Sequence, residues 1–151
     1  MKAHLGEPDL RIGPLVVWIH GRQFPSASDY WDGNWLRATA HCGSGGAEVT
    51  TSGSILHVPE LLGWLNACES LNRDLTGEAN LETIEPMLKV RLAGKSQGHL
   101  RLEVEITPDN VTQSHWFAVD LDQSYLSPLI AQLRRVLEAF PVRGELSEHA
   151  T

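Results

Sequence analysis

The segment from His99 to Thr107 constrains the fold of this chain more than any other. Leu100, Leu102, Val104 and Ile106 alternate with Arg101, Glu103 and Glu105. A period of two places one set on each face of a strand, so one face is buried and the other is wet. Pro108-Asp109-Asn110 supplies turn chemistry. Gln113 to Leu121 then returns, with His115, Phe117, Val119 and Leu121 on one parity and Trp116 opposite. An antiparallel pair of this kind needs a cover for its apolar face, which the rest of the chain must provide.

More strands precede it. Leu10 to Gln23 reads as a strand broken at Gly13-Pro14, where proline cannot donate to a ladder. Asn34 to Cys42 alternates, with Leu36, Ala38, Ala40 and Cys42 on one side and Trp35, Arg37, Thr39 and His41 on the other. Gly43-Ser44-Gly45-Gly46 turns the chain, and the Thr- and Val-bearing stretch Ala47 to Leu56 returns beside it. Leu81 to Ala93 places Ile84, Leu88, Val90 and Leu92 on one parity before the turn at Gly94-Lys95-Ser96-Gln97-Gly98.

Two segments have helical periodicity. His57-Val58-Pro59-Glu60 puts a proline and an acid where a first turn prefers them. Leu61, Leu62, Leu65, Cys68 and Leu71, with Trp64 beside them, then form an apolar face that ends by Gly77. From Gln123 to Phe140, Leu126, Leu129, Ile130, Leu133, Leu137 and Phe140 form a second stripe, with Arg134 and Arg135 on the wet side. Pro141 ends it, and Val142 to Thr151 reads as a frayed polar tail. The expectation is a single α+β domain over 1–151 with its core at about 10–141. It comprises a mostly antiparallel sheet of about six to seven strands with two helices packed on one face.

Composition narrows the function classes. A chain of 151 residues with 42% apolar and 21% charged residues supports one soluble core. The apolar run Pro14 to Ile19 is far short of the roughly 20 residues that span a bilayer. Met1 to Asp9 lacks the apolar segment of a secretion signal. Cys42 and Cys68 form no Cys-x-x-Cys pair, which suits a reduced, cytoplasmic protein. The net charge of −7 argues against a nucleic-acid backbone as partner and favours a basic protein.

No catalytic constellation stands out. The seven histidines, His4, His20, His41, His57, His99, His115 and His149, are scattered without the close pairs that zinc sites use. Strands could still gather His20, His41 and His115 across a sheet. Nothing selects a catalytic pair among the glutamates, and the glycine-rich turn lacks the lysine and following helix of a phosphate loop. Trp64 and Trp116 read as lids on the core.

The run Ser28 to Leu36 differs from an ordinary loop. It contains Asp29, Tyr30, Trp31, Asp32, Gly33, Asn34 and Trp35 between two strand-like segments. Asp32-Gly33-Asn34 is turn chemistry. The aromatic residues either pack on the chain's own sheet or offer rigid contact area to a partner. With the upstream Gly21-Arg22-Gln23-Phe24-Pro25, this run resembles the N-terminal signature of the WapI-like immunity protein family. The order that follows is similar too: a hairpin, a helix near Pro59-Glu60-Leu61, the stretch Leu81 to Pro86, two strands and a closing helix.

The resemblance implies a small cytoplasmic bacterial protein of a contact-dependent toxin system. It implies no catalytic residues and no cofactor. The expected function is stoichiometric binding of a toxin domain, with Asp29, Tyr30, Trp31 and Asp32 as contacts to a basic partner. Two other readings stay open. One is an enzyme using a metal or carboxylates on the sheet, and the other is a homodimer that buries its tryptophans against its twin.

Overall fold

In the computed structural model, which describes residues 5–146, the Gly13-Pro14 break becomes a turn between β1 (Leu10–Ile12) and β2 (Leu15–Arg22). β2 pairs antiparallel with β3 (Trp35–Ser44), and β3 with β4 (Ala47–His57). Gly45 and Gly46 both have positive φ, +63° and +89°. This is the backbone a two-residue hairpin turn demands, and glycine adopts it without a Cβ clash. Leu36, Ala38, Ala40 and Cys42 are fully buried, on the parity the sequence predicts.

Two register shifts matter for function. Between Ile19 and Gly21 an extra residue enters β2, and between Leu36 and Ala38 the pairing with β4 slips. A slip of one residue moves every later side chain to the opposite face. Arg22 therefore stands opposite the fully buried Leu36 and is itself buried.

α1 (Val58–Asp74) follows β4 directly. Its buried face is Val58, Leu61, Trp64, Leu65, Cys68 and Leu71. Leu62, expected on that stripe, is 40% exposed because it falls outside the arc set by Val58, Leu61 and Leu65. Leu75 closes the helix in a left-handed conformation, with its N–H donating to the Leu71 carbonyl at 2.8 Å.

The second half builds a separate sheet: β5 (Glu78–Leu81), β6 (Leu88–Gly94), β7 (His99–Ile106) and β8 (Trp116–Asp122), antiparallel throughout. The α+β class is as expected, but eight strands in two four-stranded sheets replace one sheet of six or seven. α1 separates the two sets of hairpins, so each closes on itself. The strand read as Leu81 to Ala93 is two, and the chain between them curls. There Thr83 Oγ1 lies 2.7 and 2.6 Å from the Glu85 and Leu88 carbonyls, and Ile84 turns outward at 58% exposure.

β7 follows its alternation faithfully: Leu100, Leu102, Val104 and Ile106 are all buried. Trp64 is buried as expected, and its indole N–H donates to the Ala79 carbonyl at 3.3 Å. Trp116 is not a lid. It lies on the outer face of β8, 57% exposed, on the parity of Ala118 and Asp120. A short 3-10 turn over Gln123–Tyr125 leads into α2 (Leu126–Ala139). α2 buries Leu126, Leu129, Ile130, Leu133 and Val136.

The two sheets meet where β3 and β4 approach β7 and β8. The helices pack on each other, α1 also on β4 and β5, and α2 also on β1. A surface ion pair at 2.5 Å, Arg134 to Glu69, joins the helices. One hydrophobic cluster includes residues from both sheets and both helices.

Candidate functional site

The loop from Gln23 to Asn34 connects β2 to β3 and is held from three directions. Asp29 organises its tip. The Asp29 carboxylate accepts from the Asp32 N–H at 3.0 Å, and its carbonyl accepts from Gly33 at 3.0 Å. These bonds fix the 3-10 turn Asp32–Asn34. Asp29 is thus a structural cap as well as an exposed acid, whereas Asp32 leaves its carboxylate in solvent.

The second hold comes from β4 and α1. His57 is 1% exposed and pairs across strands with Trp35. Its ring stacks on Trp31 (5.5 Å, 23°), meets Tyr30 edge-on at 5.4 Å and lies 4.7 Å from Trp35. Tyr30 and Trp31 are perpendicular to each other at 5.1 Å. His57 Nε2 is 3.0 Å from the Trp31 carbonyl. Rings in such offset and edge-to-face contacts are rigid, each pair adding about 0.5–1.5 kcal/mol beyond burial.

Glu60 ties this hub to the second half of the chain. Its carboxylate accepts from the His57 N–H at 2.8 Å, completing the helix start, and from the Ile84 N–H at 2.7 Å. Burial pushes the Glu60 pKa above the ordinary carboxylate value, against the pull of those two N–H donors.

The third hold is a strap of residues 140–144. Asn34 Nδ2 donates to the Tyr30 carbonyl (2.7 Å) and the Arg143 carbonyl (2.9 Å), while Asn34 Oδ1 accepts from the Arg143 N–H (2.9 Å). The Arg143 guanidinium reaches the Pro25 and Ala27 carbonyls at 2.6 and 2.9 Å. Arg22, turned inward by the β2 bulge, donates to the Gly33 carbonyl at 2.6 Å and the Pro141 carbonyl at 2.5 Å, with Phe140 beneath its guanidinium. Burial, then the Arg143 charge, lowers the Arg22 pKa from its usual value. Gly144 has φ +65°, and a Cβ there would lie 2.6 Å from the Tyr30 nitrogen, so the strap's approach requires glycine. The tail expected to fray from Val142 is therefore tied down at its first residues, and its remainder, 147–151, lies outside the described residues.

The result is an exposed face made of Trp31 (43% exposed), Asp29 and Asp32, with Tyr30 half-buried behind them. The four residues expected as contacts lie together by sequence. The residues that hold them, Arg22, Asn34, His57, Glu60 and Arg143, were not legible as a group. The one available signal was Pro59-Glu60 at the helix start, and a histidine in place of the usual hydroxyl or amide cap concealed its partner.

The histidines and cysteines elsewhere are held apart from one another. His20 and His41 share the outer face of the first sheet and bond to hydroxyls: His20 Nε2 to Thr39 Oγ1 and His41 Nδ1 to Thr50 Oγ1, both at 2.8 Å. His115 enters the other sheet and contacts Gln113 at 3.0 Å, so the three do not converge. Among the described residues, no group of His, Cys, Asp and Glu is arranged to hold a metal ion. Cys42 and Cys68 are buried free thiols, and burial pushes their pKa values up to about 11 and about 12. Both are protonated at neutral pH and so are poor nucleophiles. No helix among the described residues is long and apolar enough to cross a membrane.

The fold and this site define an α+β protein with a rigid, acidic, aromatic surface braced from within. The model of the Immunity protein WapI-like family matches residues 9–141, and the chain belongs to that family. No curated protein and no solved structure matches it. The family is one of immunity proteins, a kind that implies a protein partner in general.

Proposed function

We propose that this protein neutralises a cognate toxin domain by stoichiometric binding, with Asp29, Tyr30, Trp31 and Asp32 at the contact. The observation that carries the reading is Trp31, held half-exposed by its stacking on the buried His57 and flanked by two acids. An aromatic side chain fixed before binding loses little entropy on association, and such residues dominate interface energies. The net charge of −7 suits a basic toxin and speeds encounter with it. Membership of an immunity family supplies the biological setting, and the cytoplasm is the compartment where such a protein would meet an incoming toxin.

The test is co-expression with the toxin domain encoded beside its gene. The expected outcome is a one-to-one complex by light scattering, together with restored growth. Trp31→Ala combined with Asp32→Asn should weaken Kd about 100-fold, near 3 kcal/mol. A complex indifferent to both substitutions would move the contact elsewhere, and no complex would end the reading.

A further inference from the structure

The outer face of the second sheet has a groove of about 530 Å3 that the family assignment does not explain. Its floor is formed by β5, β6 and β7, and Trp116 stands at one side. Glu82, Glu103 and Glu105 line it with Lys89 and Arg91, so the acids outnumber the cations, and Glu78 stands just outside it, paired with Arg91.

The acids are not equally engaged. Arg91 takes up Glu78, with Nη2 and Nε at 2.6 and 3.0 Å from its carboxylate, and reaches Glu103 with Nη1 at 3.4 Å. That grip holds the Glu78 carboxyl down to a pKa of about 2. Glu82 and Glu105 form no ion pair among the described residues. Glu105 lies directly across the strands from Trp116 on one side and from Lys89 on the other. Asn80 Oδ1, in the same groove, is buried without a hydrogen-bond partner among the described residues.

An exposed indole face beside unpaired carboxylates is the environment that attracts a cation. The planar guanidinium fits it better than a hydrated ammonium, because it can stack and donate in a fork at once. The groove already accommodates one guanidinium, that of Arg91. We propose that it seats an arginine side chain of a basic protein partner, with the guanidinium over Trp116 and against Glu105 and Glu82. The groove's rim at Glu82 and Thr83 leads into Ile84, whose N–H is held by Glu60 beside the Trp31–His57 stack. One partner spanning both tryptophans would thus use a single extended surface. The identity of that partner rests on the toxin-binding reading, but the chemistry of the groove does not.

Two experiments separate those dependencies. The full chain is titrated with N-acetyl-arginine amide, with the uncharged citrulline analogue as control, and followed by amide and indole NMR shifts. The expected shifts centre on the Trp116 indole N–H and on residues 103–105, and Trp116→Ala and Glu105→Gln each abolish them. Shifts equal with citrulline, shifts elsewhere, or none would overturn the proposal. In the toxin complex, the same two substitutions should each weaken Kd about tenfold. A complex that forms but ignores both overturns the groove and leaves the toxin reading standing. If no toxin complex forms, the titration alone decides the groove. A homodimer dissociated by Trp116→Ala would assign the groove to a second copy of the chain and overturn the proposal.

Discussion

Trp31 and Trp116 are similarly exposed, but their surroundings are built in opposite ways. Trp116 is on a regular strand, and its position follows from the ladder of β8 alone. Trp31 is on an irregular loop, fixed by groups from β2, β4, α1 and residues 140–144. A strand satisfies its backbone through its neighbours, whereas a loop must find donors and acceptors elsewhere or leave them to water. The first surface is therefore cheap to build and tolerant of change. The second is expensive and breaks when a remote residue is altered.

The largest effect that would test this contrast is at Asn34. Asn34→Ala removes four hydrogen bonds, the weakest of them from Arg22 at 3.5 Å, and strands the Arg143 N–H and two carbonyls in a part-buried site. The expected cost is about 3 kcal/mol in urea unfolding, since each orphaned buried group costs about 1–3 kcal/mol. Gly144→Ala should act in the same direction, because its Cβ would displace the Tyr30 backbone. If both variants match the parent protein, the strap does not brace the loop.

Glu60→Ala comes next, at about 1–2 kcal/mol, from the lost helix-start bond and the freed Ile84 N–H. Amide exchange should rise at Ile84 as well as at His57, a paired response that a local helix effect alone would not give. The smallest difference is between the tryptophans themselves. Trp31→Ala should cost about 1 kcal/mol through its ring contacts, and Trp116→Ala less than about 0.5 kcal/mol. Equal losses in thermal unfolding would mean that the two surfaces are not built differently after all.

The same contrast explains what could be read in the sequence. β7 was legible because alternation and burial express one local geometry. The hairpins were legible for the same reason, and Gly45-Gly46 named its own turn. The division into two sheets was not, because nothing local tells β4 and β6 that α1 will keep them apart. Ile84 misled because its parity matched Leu88 and Val90 while Thr83 curled the chain between them. The inward turn of Arg22 was not legible, because it depends on a bulge just before it that reverses its face. The proposed contact residues Asp29 to Asp32 were visible as a composition anomaly. Their supports are joined over up to 119 positions, as Arg22 is to Pro141, and no periodicity spans that distance.

The strap of Arg143 and Gly144 also sets an order of events during synthesis. The loop it braces, residues 23–34, leaves the ribosome well before the strap, residues 140–144. Until residue 144 has emerged, Asn34 and the carbonyls of Pro25 and Ala27 have no Arg143 to bond. A nascent chain can close both sheets and still hold Trp31 on an unlatched loop. Its acidic, aromatic face gains this third hold only once residue 144 has joined the two nearer ones, from Asp29 and from His57.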